Sequence, residues 1–335
     1  MLFACLLTAF CRNCRGFLYI YPVMTIAFIH DNRAFLPEIE AYISFFSAYP
    51  GIITEVRKQS GLQGTPADVE WYFMGTQVRR KKNTVVIHEY ASASIPPFAA
   101  LKNVIKKNIN CLPDYRIFYS DYVRQQFDFS DSIPYGLRGH GILNIEPVSK
   151  KVEKRYDFIY AGNIDEKRGI DVLLNCFAKG NLSDRTLLVL SKHYTQTALR
   201  LSGCKNIYFK GPVPYHQVYA YIDQCRYAIN FMPDIAPFNK QVSAKFLDYA
   251  ACRIPVVTSD YQWIKEFESL YGGRYFYLLP DLSNFTWEHI SAFPYAMPDL
   301  REWTWEKQIE KSGITAFLQK RFPELDLGGN SNGSG

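Results

Sequence analysis

Two segments in the second half of the chain combine residue types suited to holding a nucleoside diphosphate. The first, YDFIYAGNIDEKRGIDVLL (156–174), reads as a buried strand, a glycine-bearing loop with cations, and a helix. Gly162 lets backbone approach a ligand closely, a helix opening at Gly169 offers first-turn N–H groups, and Arg168 adds a rigid fork of donors matched to phosphate oxygens. Taken alone, such a loop also fits an ordinary strand-to-helix turn. The second segment, PFNKQVSAKFLDYAACRIPVV (237–257), leads from a loop into a helix with Ser243 and Lys245 in its first turn and Asp248 further along. A helix N-terminus beside a lysine favours a diphosphate, and a carboxylate deeper in the helix can accept two hydrogen bonds from vicinal hydroxyls such as those of a ribose. A helix that merely exposes an Asp and a Lys is the alternative.

The elements that position these residues form an alternating series. Strands are expected at 25–29, 52–56, 69–73, 84–88, 115–119 and 132–135, with helices at 36–48, 97–108 and 120–127; Pro97 suits a first helical turn. A polar, proline-bearing stretch at 146–155 breaks the alternation and reads as a domain linker. Strands at 156–161, 186–190, 206–209, 227–231, 254–258 and 274–277 then alternate with helices at 169–178, 195–202, 214–224, 242–252 and 260–270. The fold class is therefore α/β, with two doubly wound Rossmann-like domains facing a cleft. The division is a leader at 1–23, a first domain at 24–148, a second at 149–298, a long helix within 299–325 that packs back across both, and a flexible tail at 326–335. Ligands of such sheets sit at strand carboxyl ends. His30 and His88 each close an apolar strand and so should face the cleft, with Asp31, Asn32, Arg33 and Glu89 as polar contacts for an acceptor.

The combination resembles the C-terminal domain of retaining GT-B glycosyltransferases of the family four type, the class that includes sucrose synthases and mannosyltransferases. Gly162, Arg168-Gly169, Gly211-Pro-Val-Pro214, Asp248-Tyr-Ala-Ala251 and Pro255-Val-Val257 follow that pattern in order and spacing across the whole second half. The first half is similar more faintly, through IAFIHDNR (26–33), VVIHEY (85–90) and YSDYVR (119–124). The resemblance implies that Arg168 touches the donor diphosphate, Asp248 the ribose and the backbone near Val213 the nucleobase. It places His88 near the transferred sugar. Asn163 stands where the family has an Arg, a contact that Lys245 could supply instead. Lys240 stands where the first Glu of the family's paired motif contacts the transferred sugar, which makes it the second catalytic candidate beside His88.

Composition limits the other readings. At 335 residues, 48% apolar and 21% charged, the chain suits a globular two-domain enzyme and excludes disordered and collagen-like classes. A net charge of +6 does not point to nucleic acid. Basic runs at Arg79–Lys82 and at Lys102, Lys106 and Lys107 suit a solvated face or an anionic membrane surface. The helix at 97–108 carries Phe98, Leu101 and Ile105 on one face, which points to peripheral association with a membrane. The eight cysteines read as reduced thiols in apolar surroundings, as expected for a cytoplasmic protein, with peripheral attachment at the inner membrane face. The leader is too short and interrupted to span a bilayer, and its arginines follow its apolar run, unlike those of a signal peptide. With no Asp-x-Asp pair in a cleft-facing loop, neither a metal nor another cofactor is expected. The expected reaction is transfer of a sugar from a nucleotide-sugar donor, by default a UDP-sugar, to a saccharide or lipid-linked acceptor, with retention implied by the resemblance. A GT-B-shaped epimerase or phosphorylase, or a non-catalytic nucleotide-sugar-binding protein, is the alternative.

Overall fold

The computed structural model describes residues 23–31, 36–59, 67–94, 98–143, 152–164 and 168–327. The first domain runs β1 (Met24–His30), α1 (Pro37–Phe46), β2 (Ile52–Lys58), β3 (Val69–Phe73), β4 (Val85–Tyr90), α2 (Ala99–Ile109), β5 (Tyr115–Phe118), α3 (Asp121–Phe127) and β6 (Tyr135–Leu137). The second runs β7 (Tyr156–Ala161), α4 (Ile170–Ala178), β8 (Leu187–Leu190), α5 (Gln196–Arg200), β9 (Ile207–Phe209), α6 (Tyr215–Ile222), β10 (Cys225–Asn230), α7 (Ala244–Ala251), β11 (Val256–Ser259), α8 (Gln262–Tyr271), β12 (Phe276–Leu278) and α9 (Trp287–Ala292). Two last helices follow, α10 (Trp305–Lys311) and α11 (Ile314–Arg321).

Each domain is built on a parallel six-stranded sheet, ordered β2-β1-β3-β4-β5-β6 in the first and β12-β11-β10-β7-β8-β9 in the second. Central strands are buried on both faces, as parallel sheets covered by helices require, and so read as continuous apolar runs; β3 is buried at every position. The outer strand β2 alternates instead between half-buried and exposed residues. Helices dock by stripes of helical period, as in α4, where Ile170, Leu173, Leu174 and Phe177 face the core. Strand order reverses at β1/β3 in the first domain and at β7/β10 in the second. The crevice outside the carboxyl ends of such a pair is where open α/β sheets take their ligands.

The strands stand where the alternation predicts them, with ends moved by one to three residues. The single helix expected over 299–321 is instead broken into a 3-10 turn at Arg301–Trp303, then α10, then α11. Thr304 caps α10 by accepting a hydrogen bond from the Lys307 N–H at 3.3 Å, and Gly313, at φ 66°, breaks the chain before α11. Helix α9 lies outside the expected elements. Pro97, the leader, residues 146–151 of the linker stretch and residues 328–335 fall outside the described residues. Of the described cysteines only Cys225 is buried; the others are partly exposed, and none of the described ones is paired.

After the second domain the chain returns to the first. Ile142 and Thr304 form a parallel bridge, with Ile142 N–H donating to Trp303 O at 2.7 Å. Ile309, Ile314 and Leu318 then join the core of the first domain beside Phe28, Trp71 and Ile117. Gly136 makes room for this return, because a Cβ built on it would stand 1.8 Å from the Ser312 carbonyl oxygen. Replacing it forces backbone apart, and overpacking of that kind costs about 1–3 kcal/mol or more. Gly136→Ala is therefore expected to lower the urea midpoint of the first domain's unfolding, whereas Gly203→Ala, with nothing near its Cβ, should change it little.

Candidate functional site

The crevice of the second sheet gathers most of the sequence-derived donor candidates. Gly162 follows β7 at φ 151°, a conformation that side chains rarely adopt, and its N–H donates to Leu190 O at 2.9 Å. Asn163 is exposed beside it, its carbonyl accepting from the Tyr160 hydroxyl at 3.0 Å. Lys245, in the first turn of α7, donates from Nζ to the Phe231 carbonyl at 2.9 Å, at the carboxyl end of β10, and lies 4.6 Å from the centre of the Tyr160 ring. The Arg168 guanidinium stacks on Phe238 at 5.3 Å, in the 3-10 turn that leads toward α7. The ends of β7 and β10 and the start of α7 thus bring two cations to the switch point, where first-turn N–H groups add their own positive end.

Ser243 and Val213 are placed differently from a ligand-facing pair. Ser243 is buried, and its hydroxyl donates to Asn230 Oδ1 at 2.8 Å. Asn230 in turn donates to Thr258 Oγ1 and to the Tyr261 hydroxyl, both at 3.0 Å. The serine therefore anchors the start of α7 to β10. Val213, in the loop after β9, is partly buried against the second domain's core. Lys240 is exposed and reaches across the cleft, its Nζ 5.9 Å from the centre of the Tyr122 ring on α3.

Asp248 is the polar centre of the site. Its Oδ1 accepts hydrogen bonds from the Tyr215 hydroxyl at 2.8 Å and the Tyr219 hydroxyl at 2.7 Å, and His140 Nε2 approaches it at 3.4 Å. Burial first, and then the Asp248 charge, push both phenols well above the usual tyrosine range, so they remain donors to the carboxylate. His140 belongs to the end of the first domain and meets Trp305 edge-on at 5.2 Å. The carboxylate is thus fixed from two domains at once. Tyr215, Tyr219 and His140 are absent from the sequence-derived set, although two tyrosines four residues apart share a helix face.

The first domain corrects two expectations. His88 does not end its strand: β4 runs on to Tyr90, and His88 is fully buried between the edges of Tyr72 and Tyr90, at 6.1 and 6.3 Å. Neither of its ring nitrogens has a hydrogen-bond partner. Glu89, on the opposite face, is also fully buried and is taken up by Arg138, Trp71 and Tyr42. Both residues are core groups rather than cleft contacts. His30 ends β1 at the first domain's own switch point, its pKa lowered by burial, with Asp31 exposed next to it. Asn32 and Arg33 lie outside the described residues.

Solved structures share this architecture over nearly the whole chain. A glycosyltransferase involved in avilamycin A biosynthesis superposes with a TM-score of 0.54 at 11% identity, covering 90% of this chain and 96% of its own. The fold is GT-B. HepE of Anabaena, solved with UDP and glucose, matches at TM-score 0.54 and 11% identity over 90% of this chain and 98% of its own. T4 phage BGT, solved as a mutant with UDP-glucose, matches at TM-score 0.50 and 11% identity, over 90% and 100%. The family model of the group 1 glycosyl transferases matches residues 155–284, which span the second sheet of this GT-B chain. No curated protein matches it in sequence.

The burial of His88 sets a pH dependence. Burial, reinforced by Arg116 and Arg80, lowers its pKa from 6.5 to about 3. An unfolded chain gains this proton as pH falls through the ordinary value while the folded imidazole stays neutral, so between the two values the unfolded state binds the additional proton. Stability then falls on acidification by about 1.4 kcal/mol per pH unit in that window, and above it His88 adds no slope. His88→Phe is expected to flatten the acid limb of stability against pH by about one proton, as read from urea titrations between about pH 6 and pH 4. An unchanged slope would show that the buried ring titrates normally.

Proposed function

We propose that this GT-B chain is a glycosyltransferase that takes its sugar from a UDP-sugar bound in the second domain and passes it to a saccharide or lipid-linked acceptor in the first. The observation that carries this reading is the convergence of Gly162, Arg168, Lys245 and the start of α7 at the β7/β10 switch point, with Asp248 held one turn further in. Arg168, Lys245 and the helix N-terminus meet the diphosphate charge that grows as the glycosidic bond breaks, the part a metal takes in other transferases. No metal or other cofactor is assigned a role. With Tyr215, Tyr219 and His140 holding Oδ1, Asp248 presents its other oxygen to the ribose hydroxyls. Asn163 lies beside the diphosphate and the backbone near Val213 flanks the nucleobase, with Ser243 acting through the helix it anchors. Lys240 faces the transferred sugar from the cleft edge, and His30 and Asp31 are the acceptor contacts. The acceptor hydroxyl attacks from the face the leaving diphosphate occupies, giving retention. The complexes of HepE with UDP and glucose and of T4 phage BGT with UDP-glucose support uridine as the base.

Charge-assisted contacts of this kind contribute about 1.5–3 kcal/mol each. Asp248→Ala should therefore weaken both UDP and uridine by roughly ten- to a hundredfold, while Arg168→Ala should weaken UDP by a similar factor and spare uridine. Calorimetric titration of both ligands into each folded variant checks this, and unchanged UDP affinity in Asp248→Ala removes the ribose assignment. Incubation with UDP-sugars and no acceptor separates the alternatives. Slow release of UDP marks a transferase, an isomerised sugar marks an epimerase, and binding without turnover marks a carrier.

A further inference from the structure

Helix α2 is mounted inside out on the first domain. Its one buried residue is Asn103, whose Oδ1 accepts from the Ser94 N–H at 3.3 Å and whose Nδ2 donates to Gln126 O at 3.1 Å. On the same inward side Lys106 is half-buried and Lys107 donates to the Asp128 carbonyl. Asn110, just past the helix, accepts from the Gln77 N–H at 2.7 Å. The opposite side carries the large apolar residues. Phe98 is 73% exposed and Leu101 56%, with Ile105 and Ile109 continuing the stripe at helical spacing and Val104 beside it. The loop between β3 and β4 extends the patch, because Cys111 N–H donates to Gln77 O at 2.6 Å and so brings exposed Val78 beside exposed Leu112. An amphipathic helix normally buries this stripe in its own domain. Here the domain holds α2 by polar contacts and leaves the stripe outward.

Charge identifies what covers it. Residues 98–112 and 74–83 contain no Asp or Glu, and between them they carry Lys102, Lys106, Lys107, Arg79, Arg80, Lys81 and Lys82. Arg80 and Lys81 are paired with Asp114 and Glu70. Arg79, Lys82 and Lys102 are exposed. A second copy seated face to face would oppose these cations with the same cations, so self-association on this face is repelled. An apolar stripe with a mainly cationic rim, whose neighbouring carboxylates Asp114 and Glu70 are paired to Arg80 and Lys81, suits the boundary of an anionic bilayer, where the side chains enter among the acyl chains and the cations meet lipid phosphates. We propose that α2, with Val78 and Leu112, is the seat of the protein on an anionic membrane surface. Phe98, Leu101, Ile105 and Ile109 are the inserted residues, and Arg79, Lys82 and Lys102 the headgroup contacts. This surface stands on its own geometry and does not depend on the donor site.

Co-sedimentation of the full chain with phosphatidylglycerol-containing vesicles at low salt tests it, with pure phosphatidylcholine vesicles as the comparison. Binding is expected to the anionic vesicles only. Each removed cation should weaken it roughly fivefold, so that Arg79→Gln, Lys82→Gln and Lys102→Gln together cost about a hundredfold. Leu101→Gln with Ile105→Gln, which leaves the charge intact, should also release the protein. Equal thermal unfolding of the variants confirms that the fold is kept. Absence of binding to anionic vesicles overturns the proposal, as does binding that survives either set of changes. A dimer in solution that Leu101→Gln dissociates would show that a second copy covers the face, and would overturn it too.

Discussion

A guanidinium sealed inside the first domain organises everything around it. Arg138 is fully buried, with Nε 3.0 Å from Glu89 Oε1, Nη1 2.8 Å from the Gly139 carbonyl and Nη2 3.5 Å from Glu38. The rings of Tyr42, Tyr119 and Trp305 surround it at 5.4 to 5.6 Å. A charge in that setting is tolerated only when it is paired and its donors are satisfied. Burial, the largest single influence, would lower the Arg138 pKa, but Glu89, Tyr42 and Glu38 together outweigh it and hold the group protonated. Burial raises the Glu38 carboxyl in spite of Arg138, so the cation is balanced mainly by Glu89. The surroundings of this single charge come from α1, β4, the turn after β5, the end of β6 and the return segment. Burying it brings those five parts together.

The same stretch of backbone carries the arrangement into the second domain. His140, two residues beyond Arg138, reaches Asp248, and Tyr119 is close enough to both domains' buried charges to have its own pKa raised, by burial first and with Asp248 and Glu38 contributing. Two buried polar clusters, one around Arg138 and one around Asp248, are therefore joined through the backbone of residues 138–140. Hydrogen-bonded networks in such low-dielectric surroundings hold their members in one geometry when satisfied. The carboxylate on α7 is thereby held in one orientation by Tyr215, Tyr219 and His140.

The candidate site of the second domain was legible as a cluster because its signals are local. A glycine at a strand end, a lysine in a first helical turn and an aspartate one turn later keep their relation whatever the rest of the chain does. The partners of Asp248 were not legible, since Tyr215 and Tyr219 lie about thirty residues away and His140 more than a hundred, and only topology brings them close. His88 and Glu89 show a sharper limit. Side chains alternate across a strand, so extending β4 by two residues moves the cleft-facing end past both of them. Glu89 reads as an acceptor contact in the sequence because its buried partner, Arg138, lies 49 residues on. The inverted helix α2 was half visible: its apolar stripe is plain in the sequence, yet nothing there says which side meets the domain.

The bridge between Ile142 and Thr304 also governs how the two domains can move. The described part of the first domain ends at Leu143 and the chain is again beside it at Trp303, so the two domains are connected at two places in the sequence. A single tether permits swivelling in any direction, whereas two parallel tethers joined by hydrogen bonds act like the two pins of a door. A joint of that kind favours rotation about the line through both pins over free swivelling, with Lys240 and Tyr122 on the facing edges.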